Sequence, residues 1–370
     1  MIILESYHKE VLKMERRNLR FGVFLLALTW ATLSLSGTIC YGQKKMLVGI
    51  ASPSLGDEAQ VVIQQGAINA CKEYGFNYIT TNADRDALTQ MNQIDQLISR
   101  GVNAVITVPV DAAALSESVK KLNKLGIPVI CQDRSSTSGK LVITVQADNY
   151  LAGEQAAKFM VGLLELKYGE PKGLVLELQG ALGTNVAQLR GGGFNDVMKK
   201  YPQIKVISKP TEWLPETGAK VTEDVLTVHP ELDGIYCHSD FTLTGVIAAL
   251  ERMGRLELVG KENHIYTVSI DATSQALDWI RQREHDVSVS QPFIAYGTLA
   301  VEFFAEYYLK DKKIPVGQTV TRSGVLWSPA QVIESPTGPM INLRTTSVDI
   351  HNVDDPRLWA NYYGYLQGKK

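Results

Sequence analysis

From Met46 onward the chain repeats one pattern: a short apolar run rich in Val and Ile, then a longer segment whose apolar residues recur at helical spacing. The runs predicted as strands are 46–51 (MLVGIA), 78–80, 104–108, 128–132, 141–145, 173–178, 204–208, 234–238, 266–270 and 287–290. Between them, stretches such as EAQVVIQQGAINACKEYG, LTQMNQIDQLISRG and DAAALSESVKKLNKLG carry helical periodicity and end in Gly, a common helix stop. That alternation is the mark of parallel βαβ units. It falls into two sets of about four or five units, which fits an α/β protein of two open lobes with a cleft between them better than one closed barrel.

In open sheets of this kind ligands bind at the carboxyl ends of the strands. Those positions read SPSLGDE after the first strand, DRSS after the fourth, ADN after the fifth and QGALGTN after the sixth. TEW, SD, DA and QPF follow the next four. Nearly all are polar, charged or aromatic. One such residue is explained by a helix cap or a solvated loop; a whole set points to a cleft.

Composition narrows the class. The chain has 370 residues, 45% hydrophobic and 21% charged, enough to bury a large core and to form two domains. A formal net charge of -2 and a pI near 6.3 provide no basic face, which excludes nucleic acid as the expected partner. At the N-terminus MERRNLR (14–20) precedes the apolar run FGVFLLALTWATLSLSG (21–37), the pattern of a secretory signal peptide. Cleavage is expected before Gln43, with Met14 a second candidate start, so residues 1–42 are assigned to the signal. Two readings compete with cleavage: lipidation of Cys40 and an uncleaved anchor. Ile39, a bulky residue before Cys40, and the polar GQKK that follows favour cleavage. Beyond the signal, Cys71, Cys131 and Cys237 lie singly in apolar segments and read as buried thiols. The chain carries neither C-x-x-C nor clustered His, so no disulfide, metal or cofactor is expected. Export without disulfides fits a bacterial periplasm.

The stretch ELQGALGTNVAQLRGGGF (177–194) looks like a phosphate cradle, but it lacks both the Gly-Lys-Ser/Thr ending of a P-loop and the G-x-G-x-x-G of a dinucleotide site. Its glycines are read as backbone shape and close packing. Together with GIPVICQDRSS, VQADNYLAGEQAA and CHSDFTLTGVIAAL, this stretch resembles the periplasmic sugar-binding proteins of the ribose and galactofuranose type, solute-binding components of ABC importers. The resemblance runs from about Lys45 to Leu309. The LacI-type repressors share the fold, but the signal-like start replaces their helix-turn-helix.

The resemblance implies two Rossmann-like lobes joined by three crossovers, near 145–148, 291–292 and 320–324. The N-terminal lobe would comprise 43–147 and 292–322, and the C-terminal lobe with its tail 148–291 and 323–370. A sugar has many hydroxyls, each both donor and acceptor, and faces of C–H groups, so carboxylates, guanidiniums, amides and an aromatic ring suit it. By resemblance Asp133 and Arg134 match the family's Asp-Arg pair, Arg190 the helix arginine, Asp271 the acid after the ninth strand, Gln291 the hinge amide and Trp213 the stacking ring. Each has a structural alternative: Asp133 and Asp271 as caps, Trp213 as core, Arg190 as a surface arginine. Where the ribose type has Asn-x-Phe-Phe, this chain has DEAQ, placing Asp57 near the asparagine and Ala59 and Gln60 at the aromatic positions. Ser239 stands in place of another asparagine. Asp57 and Glu58 are extra acceptors suited to a hexose or polyol, although Glu58 could simply begin its helix. D-Ribose itself is thereby in doubt.

The expected role is therefore a monomeric extracytoplasmic binding protein that closes on a monosaccharide or sugar alcohol and docks on an ABC permease, or alternatively on a membrane sensor such as a histidine kinase. A sugar-processing enzyme is the remaining alternative. No G-x-S-x-G, H-E-x-x-H or D-x-D-x-D-G motif supports it, and the six His do not cluster. The tail SVDIHNVDDPRLWANYYGYL (347–366) is assigned to packing, with no ligand role.

Overall fold

The computed structural model describes residues 45–366; the signal peptide expectation, with Met14 and Cys40, falls outside them. The chain opens with β1 (Leu47–Ser52), α1 (Glu58–Glu73), β2 (Asn77–Asn82), α2 (Ala87–Ser99), β3 (Ala104–Thr107), α3 (Ala112–Lys124), β4 (Val129–Gln132) and β5 (Thr144–Ala147). It then crosses to a second lobe. This contains α4 (Asn149–Tyr168), β6 (Gly173–Gln179), α5 (Asn185–Met198), β7 (Ile204–Pro210), α6 (Pro215–Val228) and β8 (Gly234–Cys237). It continues with α7 (Asp240–Arg252), β9 (Tyr266–Asp271), α8 (Ser274–Gln282) and β10 (Val287–Ser290).

The return crossing leads into α9 (Phe293–Phe303), which packs on α1 of the first lobe. Three more strands follow, β11 (Thr319–Val320), β12 (Ala330–Ser335) and β13 (Gly338–Leu343), then β14 (Thr346–Val348) and α10 (Trp359–Leu366). The first sheet runs β11-β12-β13-β5-β4-β3-β1-β2 and the second β14-β10-β9-β8-β6-β7. Pairing is parallel except where β12 meets β11 and β13, and where β14 meets β10.

The third crossing differs from the expected position near 320–324. β13 pairs in parallel with β5, Ile341 beside Val145, so the first sheet keeps the chain up to Leu343. Only β14 joins the second sheet, against β10. The two strands within 330–343, a stretch expected in the C-terminal lobe, therefore sit in the first sheet. The cause is a hairpin, β12–β13, whose backbone groups find partners at the open edge of β5.

Every position of β3, β4, β8 and β10 is buried, as strands covered by helices on both faces must be. At their carboxyl ends the chain turns sharply into helices, and the turn residues cap them. Asp57, Asp86, Asp111, Asp148, Thr184 and Thr273 each accept a hydrogen bond from the backbone N–H three residues on. Of the RGGGF glycines, Gly193 serves backbone contact: a Cβ there would run into the carbonyl of Tyr150, and one on Gly153 into that of Arg190. α4 and α5 thus touch backbone to backbone. Cys71, Cys131 and Cys237 are buried thiols, as expected; burial pushes Cys71 and Cys131 up to about 12.

Candidate functional site

The strand ends and helix starts of both lobes face one cleft, with free space of about 410 Å³ including its mouth. From the first lobe Asp57, Gln60, Arg85, Asp133 and Arg134 line it; from the second, Arg190, Trp213, Ser239, Phe241 and Asp271, with Phe293 at the hinge. Seven of the nine residues expected from the sequence are therefore together. Four lining residues, Arg85, Asp133, Trp213 and Asp271, hold φ of 66°, 63°, 63° and 128°. A non-glycine backbone there costs ~1–3 kcal/mol, which the surrounding fold sustains where side chains must be aimed.

On the first lobe Asp57 caps α1 through Gln60 N–H at 2.9 Å and meets Arg85 Nη2 at 3.5 Å. Burial nevertheless raises its pKa, with the Gln60 amide and Arg85 opposing. Gln60 Nε2 donates to Asp133 Oδ2 at 2.9 Å. Arg134 donates through Nη1 to the Pro109 carbonyl at 3.1 Å, while its Nε lies 3.5 Å from Asp133 Oδ2 without a hydrogen bond.

The second lobe holds its charges deeper. Arg190, 3% exposed, donates through Nε to Asn149 Oδ1 at 2.9 Å and through Nη1 to the His238 carbonyl, and stands 3.3 Å from Asp271. The Ser239 hydroxyl donates to Asp271 Oδ2 at 2.6 Å. Burial pushes Asp271 up to about 8 despite the pull of Arg190. Beneath lies fully buried Glu177. Burial works against its charge, but hydrogen bonds with His238, Ser208 and Asn195 outweigh it and hold the pKa low. Trp213 completes this wall, with the guanidinium carbons of Arg134 and Arg190 at 5.5 and 5.8 Å from its ring. Arg134 and Trp213 come from opposite lobes, as do Arg85 and Phe241, 5.0 Å apart.

Two expected residues stand elsewhere. Glu58 turns away from the cleft: its carboxylate accepts from Ser274 N–H at 2.9 Å and Ser274 Oγ at 2.6 Å, joining the starts of α1 and α8 across the lobes. Gln291 is fully buried at the hinge, where its Oε1 accepts from Tyr296 at 2.5 Å; it lines a separate cavity behind the hinge with Trp327 and Trp359. Sequence reasoning missed Arg85 and Phe241 as lining residues; it set Gln60 at a position that is aromatic in the ribose type and Phe293 within the strand-end stretch QPF, but gave neither a ligand role. Arg85 follows the carboxyl end of β2, the signal that marked the others. The tail is less peripheral than expected, since Trp359 Nε1 donates to the Asp271 carbonyl at 2.7 Å and its ring packs on Phe293.

Three guanidiniums and three carboxylates face a space walled partly by rings, with the unmatched polar atoms Gln60 Oε1, Arg134 Nε and Trp213 Nε1 buried around it. Such a site can exchange many hydrogen bonds with a polyhydroxylated molecule. It offers both donors and acceptors.

A profile of the periplasmic binding protein domain family matches residues 48–313. A ribose import binding protein of Bacillus subtilis (strain 168) is 30% identical over 77% of this chain and 87% of its own. A xylitol-binding protein of Mycolicibacterium smegmatis is 32% identical over 52% of this chain and 54% of its own. Among solved structures, a galactofuranose binding protein superposes with a TM-score of 0.72 at 22% identity, covering 86% of this chain and all of that one.

Proposed function

Since the chain belongs to the periplasmic binding protein domain family, we propose that it is an extracytoplasmic receptor that closes its lobes on a monosaccharide or sugar alcohol and delivers it to an ABC permease. The supporting observation is the convergence, from both lobes, of buried carboxylates, guanidiniums and an indole with unmatched polar atoms. In this reading Asp57, Asp133 and Asp271 accept from ligand hydroxyls, Arg134 and Arg190 donate, Ser239 orients Asp271, and Trp213 covers a C–H face. Buried polar groups of this kind reject a molecule that leaves them unpaired. Nothing in the cleft needs to react: binding biases the closed state, and the closed state is what a membrane partner reads.

The test is a thermal-shift screen of the chain from Gln43 against aldoses, ketoses and polyols. A sugar at a hundred times its dissociation constant adds about 2.7 kcal/mol of stability. The expected result is a selective upward shift, with the sugar recovered unchanged. A converted sugar points to an enzyme; no shift across the panel rejects sugar binding.

A further inference from the structure

The three rings at the cleft come from the second lobe (Trp213, Phe241) and the hinge (Phe293), while α1 brings Ala59 and Gln60 to it. Gln60 is 5% exposed. Its amide orientation is fixed, because the group that meets Asp133 Oδ2 at 2.9 Å must be the donating Nε2; reversed, two acceptors would face each other. Oε1 is thus a buried acceptor without a donor. The neighbouring Arg134 Nε is a buried donor without a hydrogen-bond acceptor, close to the same Asp133 carboxylate. An unmatched acceptor and an unmatched donor flank one carboxylate.

Resting on the function proposed above, we propose that Gln60 is a specificity-determining residue that accepts a hydrogen bond from one ligand hydroxyl on the side of α1, with Arg134 available as its donor. A ring at this place would ask the ligand for C–H groups; a carboxamide asks for O–H. The substrate class that follows is a sugar or cyclic polyol with hydroxyls projecting toward both lobes. A sugar whose face toward α1 carries only C–H leaves Oε1 unpaired and is selected against.

The test is titration calorimetry with the best-bound sugar of the thermal screen and the series of its monodeoxy analogues, on the wild type, Gln60→Met and Gln60→Phe. In the wild type one analogue should lose about tenfold or more in affinity. Gln60→Met should bind that analogue and the parent sugar within about threefold of each other, while every other analogue keeps its wild-type ratio to the parent. Gln60→Phe should favour the same analogue over its parent. A uniform loss across all analogues, or no loss, overturns the proposal, because a residue acting only by holding Asp133 would weaken every ligand alike. If circular dichroism shows Gln60→Met unfolded, Gln60→Asn, which keeps an amide but draws it back from the ligand, takes its place with the same expected pattern. A wild type that binds no sugar at all fails the function itself, a result separate from the loss of this coupling.

Discussion

Asp271 stands at about 8 in the folded cleft because burial outweighs Arg190, against about 3.9 for an aspartate in an unfolded chain. Between those values the folded state keeps a proton that the unfolded state has released, so stability falls as pH rises through the interval. Below it both states are protonated, and above it both are ionised. Asp240, pushed up to about 6 by burial, acts in the same direction over a narrower interval. Asp271→Asn imitates the protonated carboxyl. Measured without sugar, its melting temperature should therefore change less than that of the wild type between about pH 5 and about pH 8; an equal change would place the slope on other groups. The residues legible in the sequence as cleft-lining, Asp133, Arg134, Arg190, Trp213, Ser239 and Asp271 among them, share one property: each lies at or just past the carboxyl end of a strand or on the helix that follows, where topology alone aims it. Gln60 and Glu58 were harder. Both sit on the first turn of α1, and which of them faces the cleft depends on the rotation of that helix.

At the scale of elements, the helix starts do more than close turns. α1 and α8 meet end to end through Glu58 and Ser274, residues 216 apart in sequence and on different lobes. The carboxylate sits where two helix dipoles present their positive ends, and neither contact survives separation of the lobes. Glu58→Ala should therefore weaken sugar affinity by about tenfold, the equivalent of one charge-assisted hydrogen bond at ~1.5 kcal/mol. The change should fall on the dissociation rate, measured by stopped-flow fluorescence, because the bond forms on closure rather than on encounter. A slowed association with unchanged release would contradict the latch. The βα units were readable because Val- and Ile-rich runs buried on both faces stand out from their helices. The β12–β13 hairpin was not: Val332 is buried but Ile333 and Glu334 are not, and so short a half-exposed strand gives little signal.

For the whole molecule, two sheets of like design are held by three crossings, and the last comes late. After Leu343 the chain passes from β13, paired on both sides within the first sheet, to β14 at the edge of the second, then wraps the second lobe through Arg281, which donates to Asp354 and to the Val353 carbonyl. It arrives beneath the cleft with Trp359, whose indole holds the main-chain carbonyl of Asp271. Nothing in the hydrophobic pattern of the tail indicated that it would reach the site from behind. Truncation before Val353 should therefore weaken sugar binding by about tenfold or more in calorimetry, by freeing a backbone held at positive φ; affinity kept within twofold would show the tail to be mere covering. The same indole bears on how this receptor could be turned into an optical sugar sensor. A fluorescent reporter belongs beyond Leu366, with the whole tail kept. Grafting it onto a shortened tail would exchange the floor of the binding site for the signal meant to report on it.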